Sequence, residues 1–201
     1  ETPAPGKAQV VAVTSSISGE GKTFVAINMA SIISLGGSKV ALVGMDLRKP
    51  KIFNDFNLSN VTGLSTYLSG EDQILDIIQK TSYANLDIIS AGPVPPNPSE
   101  LIMSDRFETL IGVLRDTYDY VVIDTPPVGL VADALQIMPL IDGTIYVSRF
   151  NYTKGDMFSL INDQHERGLI KNISVVLNDL GQAAGYGYGY GYGYGYGYGY
   201  G

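Results

Sequence analysis

Short apolar runs recur along the chain, and most are followed by a stretch with helical spacing. Gln9 to Thr14 (QVVAVT) is almost wholly apolar, as a strand covered on both faces should be. A Ser/Gly loop follows. Thr23 to Leu35 then repeats apolar positions with a helical period, and Gly36-Gly37 stop it. Lys39 to Val43, Leu86 to Ser90, Tyr120 to Ile123, Thr144 to Ser148 and Ile173 to Leu177 read as further strands. Helices are predicted over Glu71 to Gln79, Ser99 to Asp116 with Ser99 as N-cap, Asp133 to Leu140, and Thr153 to Arg167. Residues 50–70 read as irregular, and prolines cluster over 93–98. Strands alternating with helices predict a doubly wound, mostly parallel α/β sheet.

The period breaks at the end. From Gly185 to Gly201 glycine and tyrosine alternate, which places eight of the fourteen tyrosines at every second position from Tyr186 to Tyr200. Without aliphatic side chains this tail cannot bury a core of its own. The expected organisation is a linker or cut point over 1–8, one domain over 9–184 and the repeat tail over 185–201, all within a longer protein. Thirteen basic against 20 acidic residues give a net charge of −7. That balance argues against nucleic acid and anionic membrane as main partners. The absence of cysteine excludes a disulfide framework and a thiolate metal site. No apolar run approaches the ~18 residues a membrane helix needs.

Three segments carry chemistry. Ser15-Ser16-Ile17-Ser18-Gly19-Glu20-Gly21-Lys22-Thr23 lies between a strand and a helix, where a phosphate-binding loop belongs. Loop and helix N–H groups converge on phosphate oxygens, and Gly19 and Gly21 let the backbone come close. Lys22 would reach the β and γ phosphates, and Thr23 would place its hydroxyl on Mg2+. The strict pattern asks for glycine where Ser16 stands. Second, Tyr120 to Pro127 (YVVIDTPP) ends an apolar strand in Asp124, on the ligand-binding side of such a sheet. A carboxylate there suits the magnesium of a phosphate-loop enzyme. Third, Val40 to Pro50 (VALVGMDLRKP) places Asp46 near the metal and Arg48 near phosphate or a neighbouring subunit. Arg149, just beyond a strand, faces either nucleotide and phosphotyrosine or a salt bridge. Arg106 and Arg115 read as solvated, His165 as a surface residue, and the six tyrosines outside the tail as packing.

GEGKT, MDLRKP and VVIDTPP together resemble the bacterial tyrosine kinases, the cytoplasmic kinase domains of polysaccharide co-polymerases. Further matches are Ala91-Gly92, the run Pro95 to Leu101, Asp133-Ala134, Val176-Leu177-Asn178 and the tyrosine-rich end. The resemblance covers about the whole chain. It implies an ATP- and Mg2+-dependent kinase that phosphorylates its own or a neighbouring subunit's tail, at Tyr186, Tyr188, Tyr190, Tyr192, Tyr194, Tyr196, Tyr198 and Tyr200. It further implies that Ser18, Gly19, Glu20, Gly21, Lys22, Thr23 and Phe24 hold the nucleotide, with Asn178 on the adenine and Thr23, Asp46 and Asp124 on the metal. The implied setting is the cytoplasmic face of an inner membrane, attached to a membrane-embedded portion of the same chain. The implied partners are a ring of like subunits and a tyrosine phosphatase, and the implied process is exopolysaccharide or capsule export.

Two departures stand out. The family's second motif is Asp-x-Asp; here Gly44 replaces the first acid, usually cast as the base. Slower transfer is expected, since phosphoryl transfer depends mainly on positioning and charge, or Asp46 serves as base. Residues 1–8 are also too short to hold the family's upstream oligomerisation motif. The alternative is a MinD/ParA-like ATPase switch or scaffold, whose tail mediates association without being phosphorylated. Such proteins carry an early loop lysine where Ile17 stands, which favours the kinase.

The sheet itself locates the tail. Parallel strands end on one face, so the chain should leave the last strand near Asn178 on the ligand side. Seventeen extended residues reach roughly 55 Å. Eight phosphates, at about −1.5 to −2 each, would add roughly −12 to −16 to the domain's charge and drive docked subunits apart.

Overall fold

A computed structural model describes residues 7–129, 133–170 and 172–181. The eight tail tyrosines and residues 1–6 lie outside the described residues. The chain runs β1 (Gln9–Ser15), α1 (Lys22–Leu35), β2 (Val40–Gly44), α2 (Ile52–Asp55), α3 (Leu64–Ser69), α4 (Ile74–Ile77), β3 (Ile78–Lys80) and β4 (Leu86–Ile89). It continues through α5 (Pro98–Ile102), α6 (Asp105–Thr117), β5 (Tyr120–Asp124), α7 (Asp133–Gln136), a 3-10 turn (Met138–Leu140), β6 (Gly143–Arg149), α8 (Asp156–Glu166) and β7 (Ile173–Asn178). Among the described residues the strands form one sheet in the order β3-β4-β2-β5-β1-β6-β7. Every pairing is parallel except β3 with β4.

Each central strand is covered on both faces, which is why the runs read as continuously apolar. Val40, Leu42 and Val122 pack with Ala26 and Ala30 of α1. Ala41, Val43, Val121 and Ile123 face Phe107, Leu110, Ile111 and Leu114 of α6. Lys22, Ala26, Ala30 and Ser34 recur at every fourth position on the buried face of α1. The alanines bring the helix close to the sheet and so draw its N-terminus over the ends of β1 and β5. Each large aliphatic or aromatic side chain of α6 contributes about 1.5–3 kcal/mol by burial.

Four predicted elements differ. The helix expected over 71–79 ends at Ile77, and Ile78–Lys80 instead pairs antiparallel with the open edge of β4. The long helix from Ser99 is two helices: Pro98 takes the first turn of α5, and Ser104 Oγ donates back to Leu101 O and interrupts the ladder. Residues 50–70 contain α2 and α3. Gly63 fits there because a Cβ would lie 2.5 Å from Gly92 N and Ser90 O. Pro139 turns the end of the 133–140 helix into 3-10 geometry, since it lacks an N–H. The fold also reaches back to Ala8, which is fully buried and donates its N–H to Arg115 O, one residue into the segment read as linker.

The arginines of α6 are not solvated. Arg106 Nε donates to Tyr67 O at 2.8 Å and lies 4.4 Å over the Tyr67 ring. Arg115 makes a two-pronged pair with Asp142 at 2.7 and 2.9 Å and also donates to Ala8 O and Leu140 O. It thereby ties α6, the start of β1 and the entry to β6 into one cluster. Arg115→Ala is expected to destabilise the fold by about 2–3 kcal/mol. Urea unfolding checks this; a midpoint unchanged within error would contradict the role. Tyr118 donates to Asp87 Oδ2 at 2.8 Å, and burial, with that carboxylate beside it, pushes its phenol above the ordinary range. The stability it contributes is held below the ordinary tyrosine pKa of ~10 and lost as the pH rises further.

Candidate functional site

The site forms where β2, β5 and β1 end side by side. Gly44 is in register with Asp124, and Asp124 with Val13, so the loop after β1 faces the carboxylates after β5 and β2. Gly19 and Gly21 take φ of 93° and 96°, a region open to glycine but not to most side chains. These values turn the loop so that its N–H groups and the start of α1 face one cavity. The cavity measures about 480 Å3, and its lining includes Ser18, Gly19, Lys22, Thr23, Phe24 and Asp46.

Lys22, Thr23, Asp46 and Asp124 meet there. Lys22 Nζ lies 3.3 Å from Asp46 Oδ2 and 3.4 Å from Asp124 Oδ1. Thr23 Oγ1 donates to Asp124 Oδ2 at 2.8 Å. Asp46 Oδ1 in turn accepts from Lys49 N at 3.1 Å. Asp124 is only 3% exposed. Burial raises its pKa, while the Lys22 ammonium and the Thr23 hydroxyl pull it back.

The donor set suits magnesium phosphate. A hydroxyl and two carboxylates are hard oxygen ligands, and Mg2+ typically takes only one or two protein carboxylates and completes its shell with water and phosphate. The described residues hold no cluster of three or more His, Cys, Asp or Glu, which such a shared site does not need. Loop N–H groups, the α1 N-terminus and Lys22 suit the phosphate oxygens.

Other sequence candidates sit around this centre rather than in it. Glu20 was expected among the nucleotide contacts. Its carboxylate turns inward, fully buried, accepting from Ile17 N at 2.8 Å and from the Thr153 hydroxyl, so any contact with a nucleotide falls to its backbone. Two donors inside the fold hold it there, so it braces the loop. Arg149 resolves to the salt-bridge alternative: it pairs with Asp179 at 2.8 Å and donates to Gly19 O at 3.0 Å. Asn178 Nδ2 donates to Glu20 O at 3.0 Å and leaves no space for a side chain at Gly21, where a Cβ would lie 2.1 Å away. Arg48 leaves the cavity and donates to Ser99 Oγ at 3.0 Å. Phe24 is 63% exposed, with its ring at the cavity mouth.

Sequence reading missed the outer brace. Tyr152, read as packing, donates its hydroxyl to Ser18 O at 3.0 Å and lies under the Arg149 guanidinium. With Thr153, Arg149 and Asn178 it holds three successive loop residues, Ser18, Gly19 and Glu20, from outside. The available signal was position: all four lie at or just past strand ends on the ligand side of the sheet. Ser16, the departure from the strict loop pattern, is fully buried and hydrogen-bonded to the Tyr146 hydroxyl.

The AAA domain family matches residues 8–145. Tyrosine-protein kinase CpsD of Streptococcus agalactiae is 33% identical over 176 residues, covering 87% of this chain and 77% of that protein. Tyrosine-protein kinase Etk of Escherichia coli K12 is 37% identical over 169 residues, covering 84% of this chain and only 23% of Etk. The solved kinase domain of Escherichia coli ETK superposes with a TM-score of 0.84 at 35% identity, over 93% of this chain and 73% of that one. A structure of the septum site-determining protein MinD from Pyrococcus horikoshii, with Mg-ADP, gives 0.73 at 22% identity over 88% of this chain and 72% of that one. This last likeness concerns the fold alone.

Proposed function

The chain belongs to the AAA-domain family and, within it, to the bacterial tyrosine-protein kinases; from that premise we propose that it transfers the γ-phosphoryl group of ATP to its own Gly-Tyr tail. The carrying observation is Lys22 between Asp46 and Asp124 at the open end of a glycine loop, with the Thr23 hydroxyl on Asp124. A magnesium ion would supply charge neutralisation for the phosphates. Thr23, Asp46 and Asp124 would hold it. Lys22 would swing from its carboxylates onto the phosphates and stabilise the charge that develops on transfer. The loop, braced by Glu20, Arg149, Tyr152 and Asn178, would keep its N–H groups aimed throughout.

The wider setting belongs to the same proposal. The chain spans 23% of Etk and 77% of CpsD, and the resemblance to the family suggests a membrane-anchored protein that forms rings of like subunits. A phosphatase would reset it, and its process would be capsule or exopolysaccharide export. The described residues include no helix long and apolar enough to cross a membrane.

Gly44 provides an internal check. A Cβ there would meet Ala91 N at 3.3 Å and Ile52 Cδ1 at 3.4 Å, so a side chain enters with shifts of a few tenths of an ångström. Gly44→Asp is expected to raise the transfer rate about tenfold, a small share of what a general base can contribute, because the transition state is loose. It should cost about 1 kcal/mol in stability by crowding. Single-turnover transfer and thermal melting measure both; an unchanged rate would show that no base is missing. The proposal as a whole is tested with a synthetic Gly-Tyr peptide and labelled Mg-ATP. Phosphotyrosine should form on the peptide, and label released only as inorganic phosphate would favour the ATPase-switch reading.

A further inference from the structure

β7 is the last strand of the sheet among the described residues, and nothing on it discourages a further strand. Its sequence, ISVVLN, carries neither charge nor proline, the usual guards of an exposed edge. Val175 and Leu177 are 57% and 50% exposed and point to the same side. That side opens into a groove of about 600 Å3 between β7 and α8, whose lining includes Phe158, Ile161, Asp163, His165, Ile173 and Val175. The other sheet edge, β3, ends in a lysine paired with Asp87.

The chain itself contains a segment that fits. The repeat begins at Gly185, seven residues past the end of β7, and its period of two is that of a strand. In an extended conformation every tyrosine falls on one face and every glycine on the other. We propose that the start of the tail turns back and adds to β7 as an antiparallel edge strand. Leu177 would then face Tyr186, Val175 would face Tyr188 and Ile173 would face Tyr190. A one-residue slip would move all tyrosines to the opposite face, where Val176 is already partly covered; the exposed side chains therefore select the register. The connection is about eight residues, within ordinary loop lengths. Phe158 and Val175 offer the tyrosine rings an apolar wall, and the uncharged tail meets an uncharged strand.

Tyrosines seated there are withheld from the cavity at the ends of β1 and β5. Each phosphate adds about −1.5 to −2 to a groove whose lining already includes Asp163, so a phosphorylated tail leaves the edge. Docking itself does not depend on the kinase reading, and its test needs no nucleotide.

Hydrogen exchange of the intact chain, read by mass spectrometry at a concentration where light scattering shows a monomer, tests the pairing. Amides of 173–178 should exchange at least tenfold more slowly than in a chain ending at Ala184. Val175→Lys, at an exposed site, should lose that protection while the melting temperature holds. Equal exchange with and without the tail would overturn the proposal. So would protection that appears only as the mass doubles, which would assign the edge to a second copy of β7.

Discussion

Lys22→Met is expected to lower tail phosphorylation by about a thousandfold, the scale of removing a charged group that stabilises the transferring phosphoryl. The methionine keeps the apolar stem and removes the ammonium that sits between Asp46 and Asp124. The same change exposes the electrostatics of the site. Asp124 would keep the Thr23 hydroxyl but lose the cation that offsets its burial. Its pKa, already raised by burial, would rise further. The sign follows: a carboxyl raised in the folded state contributes its stability at low pH and loses it as pH rises from the ordinary carboxylate value of ~3.9. The variant should therefore melt below the parent, with the gap widening from pH 5 to pH 8. Phosphorylation within tenfold of the parent would remove Lys22 from the mechanism. A gap independent of pH would separate Asp124 from its stability.

Asp124→Asn should move stability and activity in opposite directions. At neutral pH the buried carboxylate is a net cost to the empty fold, because burial is the largest influence on it and raises its pKa. Asparagine keeps an oxygen for the Thr23 hydroxyl and leaves Lys22 its Asp46 partner. The nucleotide-free variant is expected to melt above the parent and to transfer phosphate 10²–10³-fold more slowly, having lost the charge that Mg2+ needs. Melting several degrees below the parent would mean that the Lys22 pair outweighs the burial of Asp124.

Much of this architecture was legible in the chain. Strands covered on both faces leave unbroken apolar runs, and these, together with the apolar edge strand β7, are legible nearly to the residue. GEGKT, Asp124 and Asp46 were legible because each follows such a run on the ligand side, and the structure brings them together. The short edge strand β3 was not, since Ile78-Gln79-Lys80 has no strand pattern of its own and forms by pairing with β4. The split at Ser104 depends on a hydroxyl returning to the backbone, which helical spacing does not encode. The inward turn of the Glu20 carboxylate was not legible because it requires Thr153, more than a hundred residues away. Tyr152 and Arg115 were misread for the same reason: their partners are distant in sequence. The tail is the reverse case, plain in sequence and outside the described residues.

The central claim is that this fold phosphorylates its own tyrosine repeat. Intact-mass spectrometry of the full chain after incubation with Mg-ATP tests it most directly. The account predicts a ladder of about 80 Da steps, one phosphoryl group each, up to eight and absent from a chain ending at Ala184. An unchanged mass while ATP is converted to ADP would contradict it.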